Sequence, residues 1–378
     1  MIMMTIENLT DRINARGVKI NTSELLKEIS IASHALGVIS STLTCRVASA
    51  LGIPCAKVRL NSSKQMVDFF YGYHCLPVTN LTTKGRTPSL DSDTLSPFAD
   101  SNIDVRDYIQ FRSISKNLHI LKNLEKEIVH GDEIHSDFNC DGAISGRFTS
   151  SAPNLQQIPS AYRKFFIPRK GFKFLCIDLK QAELSLAYQL AGAKVTGDVH
   201  SLVANQLGIP RDKAKIFNLG VSYGMTSYGL AKLLGCSLSL ADKYISDWKF
   251  SNKELVDYIE KINLEAAMNG FVGIYDNSKV VRDDFKVSSD PRYQSYRAFN
   301  IHVQGSLAKL VKLAMVKIQS FLDEVSPNSH IVLTVHDELV IELSESALEH
   351  VSEIVKMFEN IDGFSFDSTS YLCDSWCK

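Results

Sequence analysis

The stretch Thr334-Val-His-Asp-Glu-Leu-Val-Ile-Glu-Leu343 decides how this chain folds. Ile331, Val332 and Leu333 come just before it, so a β-branched apolar run is broken by His336, Asp337 and Glu338 and then resumes. That composition predicts two short strands with three titratable side chains at the bend between them. Two neighbouring carboxylates repel each other unless a cation binds there. On this segment alone a solvated hairpin turn and a metal site both remain open, and the metal reading needs a partner elsewhere in the chain.

Upstream, residues 172–177 (FKFLCI) have the length and apolarity of a buried strand and run directly into Asp178. Leu184, Ala187, Tyr188 and Ala191 then follow the i, i+3, i+4, i+7 spacing of an amphipathic helix closed by Gly192. Asp178 either caps that helix or faces the hairpin as the second half of a two-metal site. A third element comes from RDKAKIFNLGVSYGM, where Arg211, Lys215, Leu219 and Tyr223 recur every fourth residue. On a helix they form one stripe about 18 Å long at about 1.5 Å per residue, roughly the reach of an extended nucleoside triphosphate. Cations at its start suit phosphates, and an apolar and an aromatic residue at its end suit a sugar and base. Gly220 and Gly224 cost helix stability, and their spacing predicts room for something to approach closely.

The 378 residues are too many for one compact core and predict two or three subdomains. Hydrophobic content of 45% and charged content of 22% are ordinary for a soluble globular protein. A net charge of −1 leaves any polyanion partner to local patches or metal ions. Eight cysteines form no CxxC pair or zinc-finger spacing, so reduced thiols and a cytoplasmic location (host cytoplasm if viral) are expected. No apolar run approaches a membrane span, and the acidic start is unlike a signal or transit peptide. Residues 79–102, rich in Ser, Thr, Asp and Pro, read as a long surface connection. The glycine spacing at residues 192–197 imitates a P-loop, but Asp198 stands where the lysine belongs; no GxGxxG or HExxH occurs.

Asp178-x-x-Gln181-x-Glu183-Leu184 after a strand, Arg211-x-x-x-Lys215 through Tyr223-Gly224, and Val335-His336-Asp337-Glu338 resemble the three polymerase motifs of the family A, DNA polymerase I-like enzymes. Ser145-Gly-Arg-Phe-Thr-Ser-Ser-Ala-Pro-Asn-Leu-Gln-Gln-Ile-Pro159 is similar to that family's TGRLSSxxPNLQNIP segment. Asn61-Ser-Ser-Lys-Gln65 resembles its NSPKQL, Asp198-Val-His200 its DIH, and Asn300-x-x-x-Gln304-Gly305 its NxxxQG. Order and spacing agree over most of the chain.

The resemblance implies an α+β, right-hand polymerase fold with an antiparallel palm sheet, helical fingers and a helical thumb. The expected division is residues 1–125 for thumb and N-terminal helices, 126–193 for the first part of the palm, 194–289 for fingers, and 290–378 for the second part of the palm. The spacing of Leu307, Leu310, Val311, Ala314, Met315 and Ile318 predicts a long palm helix. No Asp-x-Glu occurs, so a polymerase module without a proofreading exonuclease is expected, as some phage and plasmid replication systems have.

What the resemblance implies for function is template-directed DNA synthesis in replication or repair. Two Mg²⁺ ions (Mn²⁺ can substitute) bridge Asp178 and Asp337. Glu338 either assists the metals or shapes the bend. Lys215 and Arg211 neutralise the phosphates with His200 beside them, and Gln181, Glu183, Leu219 and Tyr223 complete the nucleotide site. Glu183 is the expected sugar gate, oriented by a hydrogen bond from Tyr223. Arg147 and Gln304 read minor-groove acceptors, with Asn300 near the DNA, and His336 either touches the primer terminus or orders the hairpin. Arg112 and Lys116 are the thumb candidates for phosphate contact, although an ordinary solvated face fits their pattern better. Expected partners are primer-template DNA, dNTPs and replisome proteins such as a helicase, primase or single-strand-binding protein, with no membrane. The competing readings are a two-metal nuclease and a catalytically weak DNA-binding replication factor.

Overall fold

The computed structural model describes residues 4–82, 85–129, 131–193, 198–282 and 297–376. The expected boundary at 289–290 lies outside them. By its internal contacts the chain divides into two units, one of residues 20–134 and one combining 1–19 with 135–378.

The 20–134 unit is helical. Helices Thr22–Leu51 and Ile103–Lys126 start at Asn21 and Asn102, whose side chains accept backbone N–H groups of the first turn. Their inner faces enclose Leu43, Val47, Phe69, Phe70, Tyr108 and Phe111. The tract 79–102 departs from the surface connection expected of its composition. It holds a short helix, Ser92–Leu95, with Leu95 fully buried and Thr94 bonded to Asn80 Nδ2 at 3.2 Å. One leucine among polar residues is enough to anchor the segment, because the neighbouring hydroxyls and amides satisfy one another.

The larger unit is built on a four-stranded antiparallel sheet. Its strands are β1 (Phe172–Leu179), β2 (His330–Val335), β3 (Glu338–Ser344) and β4 (Ser368–Cys373), in the order β2-β3-β1-β4. The apolar runs at 172–177 and 331–343 thus become neighbours, with Leu339 opposite Ile177 and Ile341 opposite Leu175. Near-continuous apolar sequence fits strands covered on both faces. Helix Ala298–Val325 packs on this sheet, and all six residues of its expected stripe are buried. Gly305 lets that helix come close to a neighbouring loop: a Cβ there would meet Ile274 Cγ2 at 2.7 Å and Ser145 O at 3.3 Å. Between β1 and that helix the chain forms a helical cluster, including Val199–Leu207, Arg211–Ser222, Leu238–Ser251 and Lys253–Asn269, closed around Phe217, Leu230, Trp248 and Leu255.

Helix Ile6–Arg16, expected with residues 1–125, belongs to the sheet unit instead. The reason is a charge buried in β3. Glu342 is 0% exposed, and its carboxylate accepts from Arg16 Nη2 at 2.5 Å and from Arg169 Nη1 at 2.9 Å. Arg169 also gives its backbone N–H to Glu342 at 2.7 Å and its other terminal nitrogen to Arg16 O at 2.8 Å. A fully buried carboxylate is tolerable only when paired in this way. Glu342→Ala leaves two guanidinium groups facing each other without their shared anion. It is expected to cost about 3–5 kcal/mol in urea unfolding, and Arg16→Ala less, because Arg169 stays paired.

Candidate active site

Asp178 is the next-to-last residue of β1, and the β1–β3 register sets it opposite Glu338. Leu179 N donates to Asp337 O at 3.2 Å, extending the ladder into the bend. β2 and β3 are joined by only His336 and Asp337, with Val335 paired to Glu338. His336 takes a φ of 57° at the first turn residue, where a tight hairpin usually places glycine. Gln181, just after β1, takes a φ of 52°. Two side-chain-bearing residues in the left-handed region therefore flank the aspartates, the kind of strain that collects at functional sites.

The two aspartates line one cleft of about 400 Å³ together with Gln181, Glu183, His200, Arg211, Lys215 and Leu219. Helix Arg211–Ser222 starts after Pro210 and brings the first three residues of the expected stripe to the cleft. Tyr223 caps its C-terminus, and its hydroxyl donates to Glu183 Oε2. Glu183 Oε1 is paired with Arg147, so the carboxylate is clamped from two sides. Burial, and then the adjacent Glu183 charge, push the Tyr223 hydroxyl far above its ordinary pKa, which keeps it a donor. The two glycines do not leave room for a ligand as expected. A Cβ on Gly220 would lie 2.2 Å from Met225 Cε, so the chain fills that space itself, and Gly224 serves a left-handed φ of 88°.

Asp198 organises the cationic side. It caps helix Val199–Leu207, accepting from His200 N at 3.0 Å, and also accepts from Arg211 Nε at 2.7 Å, Gln181 Nε2 at 2.9 Å and Ser201 Oγ at 2.7 Å. The Arg211 guanidinium is the largest of the influences that hold its carboxyl well below the usual range. His200 is 1% exposed, and burial is the main cause that pushes it down to about 4, so it is neutral at pH 7.

Glu338 stands apart from its expected partners. It is 3% exposed, accepts from Arg163 Nη1 at 2.8 Å and Trp376 Nε1 at 2.8 Å, and is not among the residues that line the cleft. Arg163 in turn lies 4.2 Å over the Trp376 ring. Both carboxylate oxygens are thus engaged by the protein, in a brace beneath the bend.

His336 and Arg147 border a small pocket with Phe148, Gln156 and Val311. Asn300 and Gln304 lie about one turn apart on helix Ala298–Val325, and Asn300 Oδ1 is buried with no hydrogen-bond partner among the described residues. Arg112 and Lys116 sit in the 20–134 unit. Arg112 already donates to Leu90 O at 2.5 Å and stacks over Tyr108, whereas Lys116 is exposed. Sequence reading passed over Arg163, Trp376, Asn218 and Trp248, all drawn into hydrogen bonds around the cleft. Only Asn218 carried a signal, an amide on the buried side of its helix beside Ala214, Phe217 and Val221.

DNA polymerase I of Pseudomonas aeruginosa is 31% identical over 326 residues, which cover 79% of this chain and 35% of that protein. The thermostable DNA polymerase I of Thermus aquaticus is 29% identical over 323 residues, 79% of this chain and 39% of that protein. The chain therefore spans less than half the length of these curated relatives. The POL domain of Pol1 from M. smegmatis, solved in complex with DNA primer-template and dNTP, matches with a TM-score of 0.85 at 21% identity, covering 98% of this chain and 69% of that one. That likeness establishes the fold, a mixed helical and antiparallel-sheet polymerase domain. The sequence pattern described as DNA polymerase family A matches residues 38–363, and the chain belongs to that family.

Proposed function

We propose that this chain is a template-directed DNA polymerase that adds deoxynucleotides to a primer 3′ end. The observation that carries the reading is the single cleft in which Asp178 and Asp337 meet Arg211, Lys215 and His200. The sheet with helix Ala298–Val325 serves as palm, the helical cluster from Val199 to Asn269 as fingers, and the 20–134 unit as thumb.

Divalent metal ions fit the donor set. The cleft offers two carboxylates, oxygen ligands that suit Mg²⁺ or Mn²⁺, and Mg²⁺ ordinarily takes one or two carboxylates and completes its shell with water and substrate phosphates. Asp178 and Asp337 would hold the ions, which when bound lower the pKa of the primer 3′-hydroxyl and offset charge on the triphosphate. The protein's own groups do the rest. Lys215 and Arg211 take the phosphates, Arg211 by exchanging Asp198 for the incoming anion. His200 adds a neutral donor. Glu183, clamped by Arg147 and Tyr223, walls off the ribose 2′ position. Arg147, Gln304, Asn300 and His336 face the primer-template, and Lys116 and Arg112 its backbone. No Asp-x-Glu occurs in the chain, which supports extension without 3′ excision by these residues.

Primer extension by the wild type against Asp337→Asn tests the reading. The variant is expected to lose several orders of magnitude in rate while still binding duplex. Normal extension by Asp337→Asn, or a metal-dependent 3′ degradation abolished by Asp178→Ala, overturns it. Glu183→Ala is expected to raise the ratio of ribonucleotide to deoxyribonucleotide incorporation, since the half-buried carboxylate that a 2′-hydroxyl would desolvate is gone. Leu219 has no hydroxyl to replace the hydrogen bond a dideoxynucleotide lacks. Leu219→Tyr is therefore expected to raise dideoxy over deoxy incorporation about tenfold, the worth of one polar contact of about 1–2 kcal/mol, in a competition assay.

A further inference from the structure

We infer that Trp248 and Asn218 form a hydrogen-bond relay that fixes the tautomer of His200, so that its Nε2–H is a neutral donor at the phosphate end of the cleft. The inference rests on the polymerase reading for its purpose, but not for its geometry.

The relay begins at a group with no freedom of role. An indole nitrogen can only donate, and Trp248 Nε1 lies 2.8 Å from Asn218 Oδ1. That contact settles which end of the amide is oxygen. The nitrogen end, Nδ2, therefore faces His200 Nδ1 at 3.0 Å and Val199 O at 3.3 Å. An amide nitrogen can only donate as well, so His200 Nδ1 must offer a lone pair. In a neutral imidazole the proton then sits on Nε2. All three side chains are buried, at 4%, 0% and 1% exposure, so water does not compete for these roles. His200 nevertheless lines the cleft, and its Nε2 has no hydrogen-bond partner among the described residues.

The charged groups nearest the ring are Asp198, which favours protonation, and Arg211 and Lys215, which oppose it. A proton added at Nδ1 would point at the Asn218 amide hydrogens, donor against donor. The relay thus opposes the charging that Asp198 favours. The benefit is a phosphate donor that adds no buried cation beside the exposed Arg211 and Lys215, and Asn218 acts as a positioning residue for it.

The test needs no nucleotide chemistry. In the full chain labelled with ¹⁵N-histidine, two-bond correlations from the ring protons report which nitrogen carries hydrogen, and the His200 signal is identified by its loss in His200→Gln. The expected result at pH 7 is an unprotonated Nδ1 and a protonated Nε2; a protonated Nδ1, alone or in an imidazolium, overturns the inference. A second measurement probes the consequence. Asn218→Asp turns the donor into an acceptor and is expected to raise the KM for dNTP about tenfold, the worth of one hydrogen bond, with little change in kcat. In a His200→Gln background the same substitution should leave KM nearly unmoved. An equal rise in both backgrounds assigns Asn218 to packing or to general charge repulsion and sinks the relay. A wild type with no extension activity would instead remove the polymerase reading, while the tautomer remains measurable.

Discussion

The antiparallel pairing of β1 with β3 is the constraint on which the site depends. Seven consecutive register pairs run from Ser344 opposite Phe172 to Glu338 opposite Asp178. The last hydrogen bond of that edge, from Leu179 N to Asp337 O, fixes the bend against the strand. Two carboxylates that repel each other are held in one cleft because backbone hydrogen bonds and buried Leu, Val and Ile side chains leave the chain no other arrangement. A slip of one residue would turn every side chain of the strand to the opposite face. The tolerance of this site to error is therefore set by the sheet and hardly at all by the aspartates.

Around that edge, several polar groups near the cleft restrain one another. Glu183 is held by Arg147 and Tyr223, Arg211 by Asp198, and Asp198 by Gln181, Ser201 and the first turn of its own helix. Such networks are costly if half made and rigid when complete. They join β1, the start of the next helix and two helices of the cluster into one surface, so the cleft's shape comes from hydrogen bonds as much as from packing.

Much of this was legible in the sequence, for identifiable reasons. Both strand runs are near-continuous apolar stretches that run into acids, and the long helix repeats its apolar residues at helical spacing, so local chemistry and global position agree. The stripe from Arg211 to Tyr223 was legible because it needs only a helix and a count of four. What escaped depends on partners that are distant in sequence. Nothing local tells Glu338 from Asp337; Arg163 and Trp376 draw it away from the cleft, and neither is near it in the chain. Gly220 looked like space for a ligand because a sequence does not show where Met225 folds back. The N-terminal helix looked like part of the helical unit because Glu342, the buried charge that claims it, lies at the other end of the chain.

The strand order also governs how this chain must acquire its structure. β1 is an inner strand flanked by β3 and β4, yet both neighbours follow it in the chain only after the entire helical cluster and the long helix. During synthesis, FKFLCIDL waits with two open edges and an apolar surface, the state most prone to pair with another chain. Contacts of such long sequence separation form slowly because the intervening loop entropy must be overcome first. The helical cluster between them encloses an apolar core of its own and can compact early, which shortens the effective loop that β1 must close. The order that brings two aspartates together at the end of folding thus leaves an inner strand of the sheet exposed at its beginning.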